Sequence, residues 1–213
     1  MDDLQRPMPP ARLIDPDAPA FDANISFAPD PMLAEWARAT FIVEGGPLFN
    51  EEHVHLEFAS IGFLWAGALN RKKGRVVLGQ AETCPPSVPG GKWLKERINQ
   101  QLLEWFDEMP AFLITLDAHY CAQCSDLEFC ALVEHELLHC AQAEDENGAP
   151  KFTQEGMPKF TIRGHDVEEF TSVVRRYGPP DQATAEFVAA ASSEPTVGRA
   201  SVARACGNCL KVA

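Results

Sequence analysis

No apolar run in the sequence approaches the ~18 residues of a transmembrane helix, and its first residues (Met1-Asp2-Asp3-Leu4-Gln5-Arg6-Pro7) lack the basic start and apolar centre of a signal peptide. These absences predict a chain that neither spans a membrane nor leaves the cell by that route. Positive charge is scarce too. Against 31 Asp and Glu there are 18 Lys and Arg, a formal net charge of −13, so no field draws in a phosphate backbone or an anionic lipid surface. Neither nucleic acid nor membrane is an expected partner. A disulfide framework is missing as well: the seven cysteines are odd in number and four fall in two C-x-x-C pairs, which suits reduced or metal-bound thiols in a cytoplasmic setting. What remains is a 213-residue chain, 46% hydrophobic, able to bury one ordinary core.

Residues 1–29 are rich in proline (Pro7, Pro9, Pro10, Pro16, Pro19, Pro29) and poor in periodicity, which predicts an extended arm outside the core. Asp30-Pro31 reads as an N-cap and first helical residue, with Leu33, Trp36, Ala37 and Phe41 as an apolar stripe up to Gly45-Gly46-Pro47. An apolar stretch from Val54 to Leu69, then Asn70-Arg71-Lys72-Lys73-Gly74, then Arg75-Val76-Val77-Leu78-Gly79 predicts a β-hairpin with a basic tip. Leu94, Ile98, Leu102, Trp105 and Phe106 stand at helical spacing over 92–108, and the run 111–116 has the length of a strand. Ser125-Asp126-Leu127-Glu128 is a capping box, predicting a helix from there to about Ala143. Asp166 and Glu169 suggest a second box for a helix ending at Gly178-Pro179-Pro180, followed by an Ala-rich helix over 182–191.

Inside the helix opened by Ser125 stands His135-Glu136-Leu137-Leu138-His139. Residues four apart share one helix face, so two imidazoles at this spacing can bind one Zn²⁺, with Glu136 turned to the water on that metal as general base. A catalytic zinc takes a third protein ligand and leaves a position open. The segment Gly164-His165-Asp166-Val167-Glu168-Glu169 is the natural source: with Asp166 and Glu169 engaged as a cap, His165 is left free, while Glu169 and Glu168 stay as alternatives. The competing reading is a pair of core histidines on an apolar helix. His119, Tyr120 and Tyr177 are candidates for the oxyanion donor.

Leu116-Asp117-Ala118-His119-Tyr120, then Ala131-Leu132-Val133-Glu134-His135-Glu136-Leu137-Leu138-His139-Cys140, then Gly164-His165-Asp166-Val167-Glu168-Glu169-Phe170 resembles the putative phage metallopeptidase family, minimal zincins akin to the SprT-like proteins. The segment Lys72-Lys73-Gly74-Arg75-Val76-Val77-Leu78-Gly79 is similar to the stretch before the active site in that group, and the likeness spans about residues 53–178. The resemblance implies His135, His139 and His165 as zinc ligands, Glu136 as base, a protein or peptide substrate, and a phage or prophage gene acting in the host cytoplasm. The resulting expectation is an α+β zincin-like metallopeptidase domain over 30–192, with a short mixed sheet packed on the active-site helix, between the arm 1–29 and a tail 193–213. Its rivals are a catalytically silent zincin-like binding or regulatory protein and a structural protein associated with the virion.

Cys121, Cys124, Cys206 and Cys209 have the count and local spacing of a second, structural zinc site, although the interval between the pairs is long; the alternative is that Cys121, Cys130 and Cys140 are small buried residues and Cys206 and Cys209 free thiols. Arg71, Lys72, Lys73 and Arg75 read as a solvated turn. His53 and His55 alternate at an expected strand start and could reach a metal from one face.

Overall fold

Prolines do not keep the N-terminal segment apart from the rest of the chain. In the computed structural model, which describes residues 5–72, 74–167 and 171–200, the short helix α1 (Ala11–Ile14) inserts Leu13 into the main core, and strand β1 (Phe27–Pro29) joins the principal sheet with Ala28 buried. The expectation of an arm lying wholly outside the core is corrected for these residues. Pro29 is accommodated because β1 is an edge strand, where a missing N–H leaves no ladder bond unmade.

Asp30 then does two things. One carboxylate oxygen accepts from the Leu33 amide at 3.0 Å, capping α2 (Pro31–Ala37), and the other accepts from the Trp65 indole at 2.7 Å, tying the helix start to the sheet. The helix widens into a π turn over Arg38–Ile42. Next comes a 3₁₀ helix, Glu51–Phe58, where alternation suggested a strand. Asn50 caps it by accepting from Glu52, and its buried residues His53 and Leu56 are three apart, the period of a 3₁₀ turn.

Strand β2 (Ile61–Ala66) follows, then the two-residue strands β3 (Arg71–Lys72) and β4 (Arg75–Val76), β5 (Gly79–Thr83), α3 (Lys92–Phe106) and β6 (Phe112–Asp117). The expected hairpin survives only as the β3–β4 ribbon around Gly74 at φ +78°. Its flanking strands are not partners: the sheet order is β1-β2-β6-β5, with β2 parallel to β6 and β5 antiparallel to β6. The reason is burial. Phe63, Leu64 and Trp65 are covered on both faces of β2, a central-strand environment that needs a neighbour on each side.

Alternation along β6 divides the core. Phe112, Ile114 and Leu116 join Phe63, Trp65, Phe41 and Leu33 on one face, while Leu113 meets Leu64 and Leu102 of α3 on the other. The first face is closed by α4 (Ala118–Gln123) and α5 (Asp126–His139), through Ala118, Cys121, Phe129, Leu132, Val133 and Leu137. Each such leucine or phenylalanine contributes about 1.5–3 kcal/mol on burial.

Helix α5 starts at Ser125 as expected and stops at His139, short of 143. Cys140–Gln142 turns extended and becomes β7, antiparallel to β8 (Phe160–Ile162), so the chain after residue 143 is folded back onto the end of α5. The last helices are α6 (Thr171–Tyr177), closed by Gly178 at φ +82°, and α7 (Gln182–Ser192), capped by Asp181. No helix among the described residues is long and apolar enough to cross a membrane.

Candidate metal centre

The start of α5 is held from three sides. Ser125 and Glu128 form the reciprocal capping box, with the Glu128 amide donating to Ser125 Oγ at 3.3 Å and the Ser125 amide to Glu128 Oε2 at 3.0 Å. Asn50 donates to Glu134 at 3.0 Å, tying the 3₁₀ helix to its middle. Arg6 reaches in from the N-terminal segment and donates to the Cys121 and Cys124 carbonyls at 2.8 and 2.7 Å and to Asp126 at 2.6 Å, with its guanidinium 4.7 Å from the Phe129 ring centroid.

The far end of α5 carries the histidines. The β7–β8 ribbon is prolonged by the Arg163 amide donating to the His139 carbonyl at 3.0 Å, and the Arg163 carbonyl lies 2.8 Å from His139 Nδ1. With Nδ1–H donating there, His139 is in the tautomer that carries its lone pair on Nε2. Two residues on, His165 comes over the helix face. Ring centroids of His135, His139 and His165 are 5.0, 5.2 and 5.1 Å apart in pairs, and one ligand nitrogen from each lies within 4.8 Å of the others. His135 Nε2 and His165 Nε2 are separated by 3.4 Å. Two nitrogens about 2.0–2.1 Å from a tetrahedral Zn²⁺ stand about 3.4 Å apart, so the donor set fits that ion.

Burial differs among the three: His139 is 3% exposed, His135 half-buried and His165 exposed. Burial first, then the neighbouring imidazoles of His139 and His165, push the His135 pKa down to about 4, so that its ring is neutral and lone-pair-bearing at neutral pH. The trio opens on a cleft of about 360 Å³ whose apolar wall is Leu138, Val167 and Phe187, the last contributed by α7. Arg163 lines it too, paired with Asp166 at 3.3 Å and Glu52 at 3.5 Å. Glu136 has no solvent exposure, is not among the residues lining the cleft, and packs against β5 at Gly79.

Other residues singled out in the sequence lie elsewhere. His119, Tyr120 and Tyr177 do not line the cleft, and Tyr177 is 75% exposed. His53 is fully buried, its pKa lowered to about 4 chiefly by that burial, and neither ring nitrogen has a hydrogen-bond partner among the described residues; His55 Nε2 lies 2.7 Å from the Cys140 carbonyl. Neither reaches the trio's cleft. Cys121 is buried beside the half-buried Cys124, whose pKa the Cys121 thiol and Arg6 lower, and Cys130 and Cys140 are buried. Glu168, Glu169, Lys73, Cys206 and Cys209 lie outside the described residues. Arg163 and Phe187 are the site residues the sequence did not suggest: both come from segments whose folding back depends on contacts distant in sequence. A second cavity of about 390 Å³, lined by Arg38, Glu57 and Glu108 among others, holds none of the histidines.

Fold and site together define a small mixed α/β domain with a short sheet packed on a helix that presents two members of an imidazole triad. The chain belongs to the putative phage metallopeptidase family, whose profile matches residues 34–192. No curated protein and no solved structure matches it.

Proposed function

We propose that this chain is a zinc-dependent endopeptidase of phage or prophage type, acting on protein or peptide substrates in the host cytoplasm. The observation that carries the reading is the convergence of His135, His139 and His165, with a 3.4 Å nitrogen separation suited to a tetrahedral ion, at the wall of an open cleft. His135, His139 and His165 hold the metal. A closed structural zinc site would bury all its ligands, whereas His165 stands exposed at the cleft, which favours a site that admits substrate. When bound, Zn²⁺ supplies a Lewis acid for the substrate carbonyl and lowers the pKa of water toward ~7.

The remaining work belongs to side chains of the chain itself. Glu136 takes the proton of the attacking water on its carboxylate and returns it to the leaving amine. His139 keeps its metal-facing tautomer through the Arg163 carbonyl. Leu138, Val167 and Phe187 offer an apolar surface to a substrate side chain beside the scissile bond, and Arg163 fixes the segment that brings His165 over α5. Cytoplasmic action agrees with an odd number of cysteines, four of them in C-x-x-C pairs.

The test is cleavage of a denatured proteome by the zinc-loaded chain and by Glu136→Gln, with new N-termini read by mass spectrometry. New termini with wild type and none with the variant are expected. Equal cleavage by both would assign the activity to a contaminant, and none by either would favour a silent binding protein.

A further inference from the structure

Gly79 begins β5 and pairs with Leu116 of β6, an ordinary ladder position in extended backbone. Its φ is not among the positive values found at Gly45, Gly74, Gly90, Gly148, Gly156 and Gly178, so chain conformation does not require glycine there. A glycine inside a strand weakens it, because it gives up more entropy on ordering and packs no side chain. Space explains the choice instead. A Cβ built on Gly79 would stand 2.5 Å from Glu136 Oε1 and 2.9 Å from both its Cδ and Cγ.

Of the two sides of that contact the strand backbone is the fixed one, so the end of the Glu136 side chain is what must move. Gly79 is itself buried and lies in the β5–β6 ladder, which continues in the Asp117 amide donating to the Leu78 carbonyl at 2.8 Å. Glu136 is fully buried on α5, where Leu132, Val133, Leu137 and His139 are buried as well. A methyl group at position 79 would meet the whole outer half of the glutamate, so relief requires the carboxylate to leave its place.

We propose that Gly79 is a positioning residue: its missing side chain forms the slot on β5 that holds the carboxylate of Glu136, the residue after His135 on α5, at one depth and angle. The proposal rests on the reading of Glu136 as the base. The strand wall sets where the proton acceptor sits, and a displacement of about an ångström at such a group costs on the order of 10²-fold in rate.

Two measurements test this. In the first, Gly79→Ala, Glu136→Ala and the double variant are melted without metal. The melting temperature of Gly79→Ala falls by several degrees in the wild-type background and far less with Glu136→Ala, where the methyl group enters vacated space. An equal loss in both backgrounds would overturn the contact. In the second, the zinc-loaded Gly79→Ala chain is assayed on a peptide that wild type cleaves. Zinc content stays at the wild-type value, kcat falls about 10²-fold with KM little changed, and Glu136→Asp, one methylene shorter, recovers part of kcat when combined with Gly79→Ala. A kcat within a few-fold of wild type, or a loss confined to KM, would refute the positioning role. No turnover by wild type would refute the enzymatic reading and the role of Gly79 with it, while the melting cycle still reports separately on the contact.

Discussion

Replacing Arg6 with alanine removes a residue far outside the family-matched segment and should still destabilise the whole domain. Its guanidinium is 7% exposed and makes three hydrogen bonds, two of them to the carbonyls of Cys121 and Cys124 at the end of α4. The third goes to Asp126, which is 71% exposed, so that ion pair contributes at most about 1 kcal/mol. The two carbonyl bonds are worth about 1 kcal/mol each, and contact with the Phe129 ring about 0.5–1 kcal/mol more. Against this stands the entropy recovered when the N-terminal segment is released. The expected net loss is about 2–3 kcal/mol, or some 5–10 °C in a domain of this size. Urea unfolding followed by tryptophan fluorescence measures it, since Trp36 and Trp65 both lie against Phe129. Arg6→Lys should lose nearly as much, because one ammonium cannot span two carbonyls in the fork geometry. A change under about 0.5 kcal/mol for Arg6→Ala would refute the view that the segment before residue 30 braces α4 against α5.

Further outcomes follow from the same geometry. His53 and His135 both titrate near 4 in the folded chain against an ordinary value of 6.5. Between those values the unfolded chain binds more protons, so the metal-free protein keeps this stability above pH 6.5 and loses it as pH falls, by about 2 kcal/mol for each histidine between pH 7 and 5. Urea midpoints at the two pH values check this; a flat profile would contradict it. His53→Leu, which removes a buried ring with neither nitrogen paired among the described residues, should not destabilise at pH 7 and should remove about half of that slope. Trp65→Phe strands the Asp30 oxygen that accepts the indole and should cost about 1–3 kcal/mol in the same assay, whereas an unchanged midpoint would mean that bond contributes nothing. Phe187→Ala should weaken preference for large apolar residues in a peptide-library digest while leaving zinc content alone; an unchanged preference would remove α7 from substrate contact.

Local signals in the sequence were enough for much of this. The Asp30-Pro31 start, the Ser125 capping box, the amphipathic run of α3 and the short strand β6 all follow from caps and periodicity, and the structure carries them within a few residues. The spacing of His135 and His139 needed only the helical period. What was not legible depends on partners distant in the chain. The apolar run before Arg71 points to a hairpin, yet β6, itself buried at Phe112, Ile114 and Leu116, takes the place between β2 and β5. Ala141-Gln142-Ala143 favours helix by propensity, but pairing with Phe160–Ile162 overrides it and ends α5 at His139. That same override brings His165 to the triad. Gly79 read as part of a hairpin, and nothing local showed that a buried carboxylate would need its missing side chain.

By this reading the three imidazoles on α5 and the segment after β8 hold one metal ion. Elemental analysis of untagged protein, purified without added metal or chelator, tests it most directly. One zinc per chain is expected, lost with His135→Ala, His139→Ala or His165→Ala and kept with Glu136→Gln and Cys124→Ala. A second equivalent that disappears with Cys124→Ala would add a cysteine site without touching the first. No zinc at neutral pH, even after reconstitution, would leave the histidines as packing residues and rule out a metal centre.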